Sequence, residues 1–440
     1  MQRQCIGAMS VATDVLVIGG GVTGVGIARD LAMRGIDCVL VEREGLSGGT
    51  TGRSHGLFHS GARYAEADPE GAGKCIAENR VLREIAGACL RDTGGFFVQL
   101  AGDDPDYFAA KRDACRDLGI EADVRSGAAA REAVPELPPG TERVMRVPDA
   151  VAYPSRLVAA TARSARDHGA SIHTDAPVTD LHRDGADGGA VTAATVGGTL
   201  DDRIEADHVV NATGAWAGKC AALAGVDVRM SPTKGVMVAV EHEGLDTVLN
   251  RCREPADGDI VIPHAGQVVL GTTSVGVDDP DEYARPERDV ERMFEECAAM
   301  MPALDGREPA RTYWGVRPLY DPSAAGEGAR AISRDFFLLD HAERDDTDGF
   351  TTIVGGKLTT HRAMAEAVAD HVCARLGVEG TCRTADEPLP GHDDPAALDR
   401  FVEEFDAGSP ADADVIGPPS LTGGRPETGG DRRGPHEPGD

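Results

Sequence analysis

The run "VLVIGGGVTGVGIARDLAMRGIDCVLVERE", Val15 to Glu44, constrains the fold more than any other part of the chain. An apolar strand (Val15–Ile18) enters a glycine turn, a helix-patterned stretch (Val22–Arg34) follows, and a second apolar strand (Cys38–Val41) closes a βαβ unit whose strands pair in parallel. In Gly19-x-Gly21-x-x-Gly24 the first glycine permits the turn, the second lets backbone approach a pyrophosphate, and the third lets helix pack on strand. An anion would then lie on the helix N-terminus, where unpaired N–H groups and the dipole favour it. Glu42, 18 residues after Gly24, ends the second strand in position to accept hydrogen bonds from an adenosine ribose. A tight turn without ligand needs the glycines but not the acidic residue.

The chain has 440 residues, enough for two or three folding units with ample apolar core. The pattern predicts an α/β protein: a Rossmann-like dinucleotide-binding domain with an inserted, mostly antiparallel substrate domain. The dinucleotide domain is expected over residues 12–94, 151–229 and 331–390, interrupted by a cap segment over 95–150 and by the substrate domain over 230–330. The runs "GVMVAV", "DIVIPH" and "QVVLGTT" read as strands of that insertion, with a charged helix near Glu287–Met300. From Ala407 to Asp440, 14 of 34 residues are glycine or proline and none is aromatic, which predicts a disordered tail over 407–440.

The net charge of −30 makes nucleic acid an unsuitable partner, because the average surface repels phosphate backbones. Such a hydrated acidic shell is also typical of proteins from very salty cytoplasm. Ten scattered cysteines without metal-ligand spacing read as reduced thiols, and no metal site is expected. No apolar run approaches the roughly 18 residues of a membrane span, and the first residues lack the apolar centre of a signal peptide. These features point to the cytoplasm, and Met9 is a candidate start.

Three further constellations carry chemistry. "GGTTGRSHGLFHSGARY", Gly48 to Tyr64, concentrates small and hydrogen-bonding residues with His55, His59, Arg53 and Arg63. "NATGAWAG" puts Gly214 just after a buried strand, where a ligand can approach backbone. Arg317 in "YWGVRPL", Arg334 in "AISRDF" and Lys357 in "VGGKLTTHR" are cations in apolar or glycine-rich surroundings. Each alone reads as a salt-bridge partner, whereas together they would suit a dianionic phosphate.

Six ordered motifs from "GGGVTGVGIARDLAMRG" to "GGKLTTHRAMAE" make the chain resemble the FAD-dependent glycerol-3-phosphate dehydrogenases, most closely the A subunit of the anaerobic three-subunit enzyme, over about Ala12 to Pro390. The resemblance implies a glutathione-reductase/amino-acid-oxidase type of fold with FAD in the cradle. It implies that Gly19, Gly21, Gly24 and Glu42 hold the ADP half, that Thr50 and Ser54 lie near the pyrophosphate and flavin, and that Gly356, Lys357 and Leu358 approach the isoalloxazine. It further implies oxidation of sn-glycerol 3-phosphate to dihydroxyacetone phosphate, with Arg63, Arg317, Arg334 and Lys357 as substrate ligands. Electrons would pass through the B and C partner subunits to a membrane quinone, with this chain peripheral at the cytoplasmic face. Single-chain relatives carry a histidine where "TKGVM" here has Met237, which leaves His59 or an arginine as candidate base. The A subunits of this family usually continue into a cysteine-rich domain, whereas the last cysteine here is Cys382; the chain alone is therefore expected to reduce dyes but not quinone. Two alternatives are a flavin amine or amino-acid oxidase and an inactive protein that only holds FAD within an assembly.

Overall fold

A computed structural model describes residues 11–185, 189–321 and 335–417. Two large sheets organise it. In the first, the strand Val11–Ile18 lies between Asp202–Asn211 and Cys38–Val41, parallel to both, and Ser171–His173 extends the parallel run. Beyond Asp202–Asn211 the sheet forks. The lower half of that strand pairs antiparallel with Val191–Val196, and the upper half pairs parallel with Phe350–Gly355, which comes from late in the chain.

The central strand is buried over Val15–Ile18 because both its faces are covered, as a parallel sheet requires. On one face lie the helices Val22–Met33, Pro154–Asp167 and His361–Leu376, packed through Val25, Leu31, Val158 and Val368. The helix Ala217–Leu223 closes the other face with Leu16, Val209 and Phe350.

The second sheet has nine strands and draws on two separate stretches of sequence. Thr233–Glu241 pairs antiparallel with Gln267–Gly271 and with Arg311–Arg317. Gly95–Leu100 joins the far side of the sheet by pairing in parallel with Val248–Arg251, and Thr141–Val147 pairs with it in turn. The helix Glu287–Ala298 seals one face through Met293 and Cys297. The predicted class, an α/β dinucleotide domain carrying a second, mostly antiparallel sheet, is therefore what the chain adopts. All nine cysteines among the described residues are free thiols.

The tail expectation needs correction. Ala407, Ala411 and Asp412 have no solvent exposure, and Ser409 has 2%. The Asp412 carboxylate accepts from the Ser155 N–H at 2.9 Å and from its hydroxyl at 2.6 Å. Ser155 stands in the first turn of the helix Pro154–Asp167, whose own N-cap, Tyr153, supplies no side-chain cap. Asp412 thus satisfies an orphan helix donor from about 250 residues away in sequence, replacing a local cap. Asp414 continues the docking, 3.3 Å from both His264 and Arg311. Composition suggests that these acidic residues are solvated, whereas two of them are buried partners. The rest of the predicted tail, 418–440, lies outside the described residues.

This sets a truncation prediction. The chain can be ended after Gly417, which keeps Asp412, or after Asp406, which removes it. Ending it after Asp406 strips the buried Ser155 N–H of its acceptor and should cost about 1–3 kcal/mol. Denaturant midpoints of the two truncations check the difference.

Candidate active site

The glycine cradle takes its shape from two close approaches. Gly19 has a φ of +115°, which side chains rarely adopt. At Gly24 an added Cβ would stand 1.9 Å from the Gly19 carbonyl oxygen, so the helix can lie against the strand only without one. Gly24 therefore packs the cradle from behind and does not line the cavity, in contrast to Gly19 and Gly21. The helix opens at Gly21 without a side-chain cap. Thr51 lends its hydroxyl to the Val22 N–H at 3.2 Å.

Glu42 reaches back under the turn. Its carboxylate accepts from the Gly20 N–H at 2.6 Å and from the Glu44 N–H at 3.1 Å. Burial pushes its carboxyl upward from the ordinary range, and the two backbone donors oppose that shift. Each oxygen keeps a lone pair for a further donor, as a ribose acceptor needs.

From the cradle a cavity of about 420 Å³ runs along the dinucleotide domain, with Pro318 reaching it from the second sheet. Gly19, Gly21, Glu42, Thr50, Ser54, Gly214, Gly356, Lys357 and Leu358 all line it. The loop bearing Thr50 is tied to the substrate sheet, because Thr50 donates its hydroxyl to the Val316 carbonyl at 2.7 Å. Gly355 and Gly356 both have positive φ and turn the chain sharply at the end of Phe350–Gly355. Behind that turn the Leu358 carbonyl accepts from His361 Nδ1 at 2.8 Å, and burial pushes the imidazole down to about 4, so it is neutral at physiological pH.

The polar candidates lie along one path between Lys357 and Arg317. The Lys357 ammonium stands 4.6 Å from the centre of the Tyr64 ring. The Tyr64 hydroxyl is 3.4 Å from His59 Nε2, and the His59 and His55 rings are edge to face at 6.1 Å. His55 in turn lies against Gly271, where an added Cβ would be 3.5 Å away. The next residue, Thr272, has its hydroxyl 3.4 Å from Arg317. Arg317 also donates to the Thr273 carbonyl at 3.0 Å and is fixed opposite Thr233 by strand register.

His59 is held firmly. Its N–H donates to Thr359, its carbonyl accepts from Asn79, and buried Asp149 grips the adjoining Ser60 through both N–H and hydroxyl. Met237 is a buried apolar core residue.

Two expected substrate ligands stand differently. Arg63 reaches buried Asp259 at 3.5 Å, so its charge is matched within the protein. Arg334 lies outside the described residues. Sequence reasoning missed Trp216, Met364 and the Ala176–Val178 stretch, which also line the cavity. Trp216 was within reach, since it stands two residues after Gly214. Ala176–Val178 lies between strands and carries no local signal.

The cavity suits an adenine dinucleotide: a helix N-terminus that opens on a glycine, an acidic strand end, and glycines where the backbone must come close. The match to the FAD dependent oxidoreductase family model spans residues 14–362. The A1 subunit of the anaerobic glycerol-3-phosphate dehydrogenase of Haloferax volcanii is 50% identical over 412 residues, covering 91% of this chain and 70% of that protein. The corresponding A subunit from Escherichia coli K12 is 43% identical, covering 88% and 72%. Among solved structures, the glycerol-3-phosphate dehydrogenase from Bacillus halodurans complexed with FAD superposes with a TM-score of 0.68 at 24% identity, covering 90% of this chain and 71% of that one. Glycine oxidase from Geobacillus kaustophilus gives 0.68 at 21%, covering 86% and 99%, and so shares the fold. Among the described residues no helix is long and apolar enough to cross a membrane. The chain belongs to the FAD-dependent oxidoreductases, in the family of anaerobic glycerol-3-phosphate dehydrogenase A subunits, and its cofactor is FAD.

Proposed function

We propose that the protein oxidises sn-glycerol 3-phosphate at C2 to dihydroxyacetone phosphate. The observation that carries this reading is the row of side chains from Lys357 through Tyr64, His59 and His55 towards Thr272 and Arg317, with a cation at each end and imidazoles between. In a chain of net charge −30, two cations retained at the ends of such a row suit a phosphate dianion. FAD held by the cradle and the Gly356–Leu358 turn would supply the hydride acceptor for this oxidation. Lys357 and Arg317 bind and orient the phosphate, and the threonines around Arg317 fix its guanidinium. His59 takes the proton of the C2 hydroxyl, with Tyr64 orienting its ring. Arg63 steadies this wall through Asp259.

Electrons then leave through partner subunits to a membrane quinone, with this chain held at the cytoplasmic face by those partners. The support is that the relatives named above are A subunits of an anaerobic enzyme. Dye-linked turnover tests the substrate: glycerol 3-phosphate should be oxidised far faster than glycerol, sarcosine or D-alanine, and equal rates with glycerol would refute phosphate recognition. The isolated chain should reduce soluble dyes while leaving quinone oxidised; quinone reduction at the dye rate would remove the need for partners.

His59→Asn should lower kcat about 100-fold or more with KM nearly unchanged, as expected when a proton acceptor is lost and ground-state contacts stay. The pH profile of kcat/KM checks it. A profile and kcat identical to those of the unaltered protein would move the role to another group.

A further inference from the structure

One cluster at the cavity mouth is not used by the reaction. Arg43 follows the ribose acceptor Glu42, and its guanidinium stacks 4.4 Å over the Trp216 ring. Arg43, Trp216 and Lys219 all line the cavity. Behind them, outside the lining, stands Asp281, which belongs to the substrate half of the protein. It accepts from Trp216 Nε1 at 2.7 Å, from Lys219 Nζ at 2.7 Å and from Arg43 at 3.4 Å. Asp279 takes a second bond from Lys219 at 2.7 Å and accepts from the Asp281 N–H at 2.8 Å. Against the cost of partial burial, the hydrogen bonds from Lys219 and Trp216 hold the Asp281 carboxyl below the ordinary carboxylate range, so it is ionised at working pH.

The loop carrying these two aspartates connects Val275–Gly276 to the helix Glu287–Ala298. Its two ends are fixed to the substrate sheet. The Val277 N–H donates to the Pro232 carbonyl at 3.0 Å, and buried Lys234 donates to the Ala284 carbonyl. Between those anchors the loop spans the boundary between the halves and meets the dinucleotide domain through side chains that are partly exposed. Such contacts are weak one by one. They are suited to a contact that opens and closes, with anchored ends limiting how far the loop can move.

We propose that the 277–286 loop, through Asp279 and Asp281, is a clasp across the adenosine end of the FAD cavity, holding Arg43, Trp216 and Lys219 in the wall and setting how fast the dinucleotide leaves. Asp281 is a positioning residue, since it acts through the residues it holds.

The test uses the FAD-loaded full chain and reads the release of flavin after dilution, as recovery of free-flavin fluorescence. Asp281→Asn removes the charge, and Trp216→Phe keeps a ring in the wall while removing the indole donor. Each should speed release roughly 3- to 10-fold, the scale of one such hydrogen bond. The double variant should speed release by less than the product of the two single factors, because the Asp281–Trp216 bond is common to both. Unchanged release in Asp281→Asn would overturn the clasp. So would a double variant whose factor is the product of the two, since that marks independent effects. The readout is flavin retention, so it is independent of which substrate the enzyme oxidises.

Discussion

Gly24→Ala and Gly21→Val are expected to fail in different ways, although both glycines belong to one motif. A Cβ at Gly24 would stand 1.9 Å from the backbone oxygen of Gly19, and no side chain can move to relieve it. The helix must shift off the strand, at a cost of about 3 kcal/mol or more. The protein should lose stability and flavin together. At Gly21 the nearest atom to an added Cβ is the Thr51 hydroxyl at 3.2 Å, a side chain able to give way, and the backbone has an ordinary φ of −74°. Gly21→Val should therefore fold with a thermal midpoint near that of the unaltered protein but purify without flavin, its branched side chain lying where the pyrophosphate must meet the helix N-terminus. Flavin absorbance and the unfolding midpoint, measured on both variants, separate the two. Full flavin content in Gly21→Val would show that the cradle does not hold the dinucleotide.

Arg317→Leu should carry the second large effect. A guanidinium paired with a dianion in a partly desolvated site contributes about 2–5 kcal/mol, so kcat/KM for glycerol 3-phosphate should fall by roughly 30-fold to several thousand-fold. Activity on plain glycerol, which offers no phosphate, should change little. Flavin content should be unaffected, since Arg317 is outside the cavity lining and its guanidinium is held by Thr233, Thr272 and Thr273. Equal losses on both substrates would mean that Arg317 does not bind the phosphate.

The cradle was readable in the sequence because all its determinants are local: a strand, three glycines and Glu42 lie within 30 residues, and their spacing encodes the geometry. The path from Lys357 toward Arg317 was not. It depends on the register that sets Arg317 opposite Thr233, on the close approach of His55 to Gly271, and on Tyr64 bridging to Lys357 from nearly 300 residues away. None of these leaves a periodic trace. Arg63 looked equivalent to the other cations because charge is visible in sequence and a buried counter-ion such as Asp259 is not. The same blindness produced the error at residues 407–417, where Asp412 looked like a solvated charge and is a buried helix cap. The clasp was hidden for a related reason: Asp281 and Trp216 lie in loops of different halves of the protein.

The central claim is that a phosphate-reading alcohol site adjoins the flavin cavity at Lys357. Anaerobic addition of glycerol 3-phosphate to the purified protein tests it most directly. The flavin absorbance should bleach fully, with one dihydroxyacetone phosphate formed per flavin and no bleaching by sarcosine or D-alanine. A flavin that stays oxidised with glycerol 3-phosphate and is bleached by either amine would contradict the claim and assign the site to amine oxidation.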